Sequence, residues 1–127
     1  MTGFAFEKFE GNTIYTTIGE FEFEHLLFAT GRRPNIHVAA ALDLTMDGRL
    51  IATNNHYETS VPQIYAIGDL VDGFQLAHTA SAEGMRVIDY ILGKNLPAIN
   101  QQEIPRCVYT HPEIATFGMP EHAAPAY

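Results

Sequence analysis

The sequence predicts a mixed α/β (α+β) fold, and three observations carry that prediction. Thr13 to Ile18 is dense in β-branched and aromatic residues, and Phe21-Glu22-Phe23-Glu24 alternates apolar with acidic, the period of a half-buried strand. Ile64-Tyr65-Ala66-Ile67 reads as a buried strand that stops at a corner, Gly68-Asp69. From Leu76 to Leu92, Ala77, Ala80, Gly84, Val87, Ile88 and Ile91 recur at spacings of three and four, the period of a helix. A carboxylate at the carboxyl end of a strand, close to a helix amino terminus, stands where α/β proteins take polar ligands.

The elements follow in order. Glu10-Gly11-Asn12 is a turn signal before the strand at 13–18, and Gly19-Glu20 reads as a second turn. His25-Leu26-Leu27-Phe28-Ala29 loses the alternation of the preceding segment, as a strand buried on both faces would. Pro34 ends that run, because it lacks a donor and restrains Arg33. Ala39 to Leu42 suggests a short helical turn. Leu44 to Thr53 reads as a hairpin around Asp47-Gly48, and Asn54-Asn55 is a further turn signal. Gly93 is placed to end the long helix. The stretch from Asn95 to Gln102 is polar, contains Pro97 and reads as a linker. Arg106 to Thr110 and Ile114 to Phe117 read as strands, and the tail from Met119 to Tyr127 carries two prolines and little core material.

Composition narrows the function classes. The 127 residues suffice for one modest core. With 7 Lys and Arg against 15 Asp and Glu, the formal charge is -8, which repels phosphate backbones and argues against nucleic-acid binding. No apolar run approaches the length of a membrane span, and the first residues lack the pattern of a secretory signal. The single cysteine, Cys107, excludes an internal disulfide or a CxxC pair. Its apolar neighbours suggest a small hydrophobe in a strand, and a lone thiol suits a reducing, cytoplasmic setting. The six histidines show no ligand spacing, so no metal site is expected.

Four segments in order resemble the pyridine nucleotide-disulfide oxidoreductases. They are Ala29-Thr30-Gly31-Arg32-Arg33-Pro34-Asn35, Gln63-Ile64-Tyr65-Ala66-Ile67-Gly68-Asp69, Gln75-Leu76-Ala77-His78 through Gly84, and Ile104-Pro105 through Glu113-Ile114-Ala115. The resemblance implies part of an FAD/NAD-binding three-layer ββα fold, truncated. It implies that residues 1–34 close an NAD-binding domain, 35–100 form the second segment of an FAD-binding domain, and 101–127 open a dimerisation domain. It implies electron flow from a dithiol through a cysteine pair and FAD to NAD, and Leu76-Ala77-His78 favours the branch that oxidises dihydrolipoamide over the glutathione and mercuric branches. The implied partners are a second subunit in a homodimer and a 2-oxoacid dehydrogenase complex. The Gly-rich GxGxxG fingerprints, the redox cysteine pair and the catalytic His-Glu pair are absent from this sequence. The chain therefore resembles a central piece of a larger enzyme, inactive alone and weak in holding FAD, with no catalytic residue of its own.

The resemblance assigns the cofactor-binding residues. Asp69 would accept hydrogen bonds from the ribityl chain of FAD; on its residue type alone the favoured reading is that it caps a turn or the next helix. Gln75, Leu76, Ala77 and His78 open the helix, where unpaired N–H groups and the positive dipole end would meet the negative charge of a reduced flavin. His78 could instead be a packed imidazole whose main chain alone meets the ring. Gly31 would let a nucleotide approach the main chain at the NAD site, or would serve the turn only. Arg32 and Arg33 are not placed in the site. Tyr109, His111 and Glu113 are expected to pack at a junction between domains. An alternative reading from another class is a non-catalytic, self-associating domain on the same scaffold, with Phe4, Phe6, Phe9, Phe21, Phe23 and Phe28 supplying the apolar surface.

Overall fold

The computed structural model describes residues 3–94 and 96–123. Met1, Asn95, Pro125 and Tyr127, which bear on the start, linker and tail expectations, lie outside the described residues. The chain forms two compact units that divide between Arg32 and Arg33. Helix and strand are mixed, as expected, and the pairings among the described strands are antiparallel.

The first unit is a three-stranded meander of β1 (Phe6–Glu10), β2 (Thr13–Thr16) and β3 (Gly19–Glu22), with β2 in the middle. Gly11 turns β1 into β2 at φ +54, where a side chain would be strained. Strand β1 has no expectation behind it in the sequence; an extra residue at Glu7, between the pairs Phe6↔Thr16 and Lys8↔Tyr15, breaks its alternation. The second turn falls at Thr17-Ile18, not at Gly19-Glu20. The Thr16 hydroxyl closes it early, donating to Gly19 O at 2.8 Å, and Gly19 and Glu20 then pair with Thr16 and Tyr15. The expected buried strand at 25–29 is irregular and exposed, with Leu27 at 86%. Among the described residues no neighbouring strand pairs with it in this unit, and a strand buried on both faces needs a neighbour on each side. Its Phe28 packs edge-on against Phe6, 5.9 Å between centroids.

The second unit begins with a 3-10 turn at His37–Leu42, where a helical turn is expected. The hairpin of β4 (Met46–Asp47) and β5 (Leu50–Ile51) turns at Gly48, φ +60. The segment at 64–67 is not a regular strand. It makes one isolated bridge, Glu58↔Tyr65, supported by Ala66 N donating to Tyr57 O and Thr59 N to Ile64 O. Tyr57 and Gln63, both at φ +65, bend the two arms out of register, so a ladder cannot extend. Ile51, Ala66 and Val71 form the buried cluster, with Leu44, Tyr57 and Leu70 against it.

Helix α1 (Ala77–Ile91) is the one α-helix among the described residues. It ends as expected at Gly93, φ +80: Gly93 N donates to Tyr90 O and Lys94 N to Asp89 O, a Schellman motif. Its buried positions are Thr79, Glu83 and Val87, four apart, and of the apolar set read from the sequence Val87 alone is among them. Ala80 and Gly84 are half-buried, while Ala77, Ile88 and Ile91 are exposed. The apolar stripe is wider than the single layer that covers it. After a 3-10 turn at Gln101–Glu103, capped by the Asn100 side chain, β6 (Arg106–Val108) and β7 (Ile114–Thr116) form a hairpin. Cys107 lies on β6 as a free, exposed thiol, not a packed one. Tyr109, His111 and Glu113 are exposed too, since the hairpin carries no second layer over its connecting loop. No helix among the described residues is long and apolar enough to cross a membrane.

Candidate functional site

The corner at Gly68-Asp69 is built from main chain. Ile67 is extended, Gly68 turns to φ +67, and Gly68–Leu70 makes one 3-10 turn closed by Val71 N donating to Gly68 O at 3.1 Å. A Cβ on Gly68 would lie 3.0 Å from the Cβ of Ala80, and one on Gly84 would lie 3.4 Å from Ile67 Cδ1. Small residues at Ala80 and Gly84 thus let α1 lie close against the corner. The approach is to the Gly68 position at Ala80 and to the Ile67 side chain at Gly84.

The corner is held by a residue that sequence reasoning missed. Glu83, 1% exposed, accepts the Gly68 N–H on Oε2 at 2.7 Å. Burial pushes its carboxyl above the usual range, and the hydrogen bond from Gly68 opposes that shift in part. Tyr57 faces the same carboxylate: burial and then the Glu83 charge raise its phenol, while Arg86 and the Ile99 main chain pull it back. In the sequence Glu83 stands one helical turn from Thr79 and beside Ala80 and Gly84, which puts it on their face of α1 but does not say whether that face is covered.

The expected site residues divide into two groups. Asp69 follows Gly68 in the 3-10 turn and is half-buried. Gln75 reaches it, its Nε2 donating to Asp69 O at 3.4 Å. Leu76 is the N-cap of α1 and has no side chain to cap with; Ala77 and His78 are the first helical residues and are exposed. Leu76 O accepts from Ala80 N, so the helical ladder starts there, with the N–H groups of the first turn ahead of it. His78 sends its ring away from this edge. Its Nε2 lies 2.9 Å from Pro105 O, and since a carbonyl only accepts, Nε2 carries the proton. The exposed imidazole ties α1 to the approach to β6. Gly31 belongs to the first unit, separate from the other five. At φ +92, with nothing within 4 Å of an added Cβ, it has a backbone reason to be glycine.

The residues of the corner fit a flavin by their chemistry. A helix start without a capping side chain suits negative charge, and a carboxylate suits hydroxyls. The Thr79 hydroxyl, 1% exposed, has no partner of its own. A groove of about 710 Å³ runs along α1, lined by Tyr65, Ile67, Gly84, Met85 and Ile88, and is mainly apolar. No group of three or more His, Cys, Asp or Glu side chains among the described residues could hold a metal.

Comparison with known proteins follows the same lines. The family model described as pyridine nucleotide-disulphide oxidoreductase matches residues 2–84. A dihydrolipoyl dehydrogenase of Bacillus subtilis is 40% identical over 114 residues, 84% of this chain and 24% of the relative. One from Halobacterium salinarum is also 40% identical, over 111 residues, 84% of this chain and 23% of the relative. The crystal structure of LpdA from Mycobacterium tuberculosis superposes with a TM-score of 0.78 at 26% identity, over 89% of this chain and 26% of that one. The chain therefore spans about a quarter of the length of the relatives it matches.

Proposed function

The chain belongs to the pyridine nucleotide-disulphide oxidoreductase family, and from that premise we propose that it supplies part of the flavin site of an FAD-dependent enzyme that reoxidises dihydrolipoamide with NAD. The Gly68-Asp69 corner beside the open start of α1 carries this reading. Bound FAD would supply the electron-transfer chemistry. Asp69 would hold ribityl hydroxyls through its carboxylate. The N–H groups at Ala77 and His78 would face the negative edge of the ring, while Leu76 N, expected to join them, instead donates to Phe74 O at 2.8 Å. Gln75 would tie that edge to the main-chain oxygen of Asp69. Gly31 would lie at the NAD site, where the absence of a side chain leaves the main chain open.

The remaining assignments rest on the family. Residues 1–34 would close the NAD-binding domain, 35–100 would belong to the FAD-binding domain, and 101–127 would open the dimerisation domain of a homodimer that serves a 2-oxoacid dehydrogenase complex in the cytoplasm. With one cysteine, this chain holds no redox pair and would not oxidise dihydrolipoamide by itself. The test is titration of riboflavin and FAD with the purified chain, read by flavin fluorescence. Weak binding that weakens further in Asp69→Ala supports the reading. Binding that ignores Asp69, or dihydrolipoamide oxidation by the chain alone, would sink it.

One observation favours a second reading, a self-associating domain. Phe4, Phe6, Phe9 and Phe28 of the first unit are all more than 40% exposed. Light scattering decides it: a strict monomer excludes self-association.

A further inference from the structure

We infer that Glu83 is a positioning residue for the cofactor corner: by accepting the Gly68 N–H from inside the fold, it fixes the orientation in which Asp69 meets its ligand. The inference rests on the flavin reading for the identity of that ligand, but its geometry stands on the corner alone.

Gly68 is held at each of its groups. Its N–H is taken by Glu83 Oε2 at 2.7 Å, its carbonyl by Val71 N at 3.1 Å, and its α-carbon side faces the Ala80 Cβ. The φ of +67 lets the peptide turn without a side-chain penalty, but it does not choose one direction, because glycine visits many conformations freely. The choice is made by the carboxylate. Glu83 is buried, stands on the longest element of the unit, and reaches from there to the residue just before Asp69. A carboxylate accepting a main-chain N–H in a buried setting is a strong, directional contact. Without it the Gly68 N–H would be buried and unsatisfied, and the peptide would rotate to find another partner. Asp69 would turn with it. A merely structural Glu83 would stabilise the fold as a whole without fixing Asp69.

NMR of the labelled chain separates these possibilities. Four variants are compared with the wild type: Glu83→Ala, Glu83→Gln, Asp69→Ala and the control Val87→Ala. In Glu83→Ala, hydrogen exchange at the Gly68 amide is expected to rise about tenfold or more, the factor carried by one lost hydrogen bond to a charged acceptor. The Asp69 Hα–Hβ couplings are expected to collapse to averaged values. Glu83→Gln, whose side-chain oxygen still accepts the N–H, should restore both. Val87→Ala, another buried change on α1, controls for general loosening and should leave the Asp69 couplings in place. Unchanged Asp69 couplings in Glu83→Ala would overturn the inference, as would equal averaging in Val87→Ala. If Glu83→Ala fails to fold, Glu83→Gln decides: a single Asp69 rotamer supports the role, and averaging refutes it. Riboflavin titration then gives the ligand arm. Losses from Glu83→Ala and Asp69→Ala should not add in the double variant, since one acts through the other. No riboflavin binding by any form would count against the flavin reading and leave the couplings to judge the positioning role.

Discussion

The two units of this chain use the same local devices and bury different things. In the first, turns at Gly11 and Thr17-Ile18 fold three short strands into a meander, and every contact that defines it lies close in sequence. Among its described residues the one buried is polar: Thr16, satisfied by its own turn. Phe6, Phe9 and Phe28 cluster at 5.9 to 6.4 Å but stay half open to solvent. In the second, the hairpin at 46–51 is just as local, yet a helix from 77 to 91 lies against a corner at 68 and closes a core around Ile51, Ala66 and Val71. A second layer is what separates them. One layer can be set by turns; only two layers can bury a carboxylate such as Glu83 and aim it at a chosen amide.

The largest effect that would test this contrast comes from Gly68→Val. The substitution forces a β-branched residue to φ +67 and drives it into Ala80, so it should cost about 3 kcal/mol from left-handed strain plus overpacking. Amide resonances of α1 and of 44–71 should move or broaden, while those of β1, β2 and β3 stay. Shifts throughout β1–β3 would show that the units do not fold independently.

A smaller effect concerns pH. Glu83 has its folded-state carboxyl raised above the value of 4.5 for a free side chain, chiefly by burial. The folded state therefore holds the proton more tightly than the unfolded state does. Stability should fall as pH rises from about 4.5 through the raised value, and the full cost is present above it. Glu83→Gln keeps the acceptor and removes the charge. It should flatten that part of the profile, measured by urea denaturation across mildly acidic pH, and leave the protein at least as stable at neutral pH. A profile identical to wild type would mean that another group carries the dependence.

The smallest effect belongs to the first unit. Phe28→Ala removes an edge-on aromatic contact from a cluster that is already open, so it should cost about 1 kcal/mol or less. Thermal melting followed at β2 amides checks it. A loss as large as that at Gly68 would show that the first unit has a true core.

Legibility followed the same division. The turns at Gly11 and Gly48, the helix from 77 to 91 and its end at Gly93 are written in residues that act within a few positions of themselves, and all four were readable. The segments at 25–29 and 64–67 have the composition of strands but not the partners, and pairing is a property of two segments. Strand β1 was hidden by the extra residue at Glu7. In the candidate site, the resemblance names Asp69, Gln75, Leu76, Ala77 and His78, and of these Gln75 reaches the main chain of Asp69. The turning away of the His78 ring toward Pro105 was not readable, because residues 27 positions apart meet only after folding.

By itself the sequence determined the family, the mixed class, the order of the segments and the chemistry available to a ligand: one carboxylate at a corner and an uncapped helix start behind it. Tertiary structure alone decided which face of α1 is buried, that a carboxylate lies on it, and that this carboxylate takes the Gly68 amide. The reason is physical. Periodicity reports which residues share a helical face, but which face is covered depends on what packs against it, and the apolar stripe of α1 is wider than its cover. A buried acid reads as an exposed one until the surrounding layers remove the water.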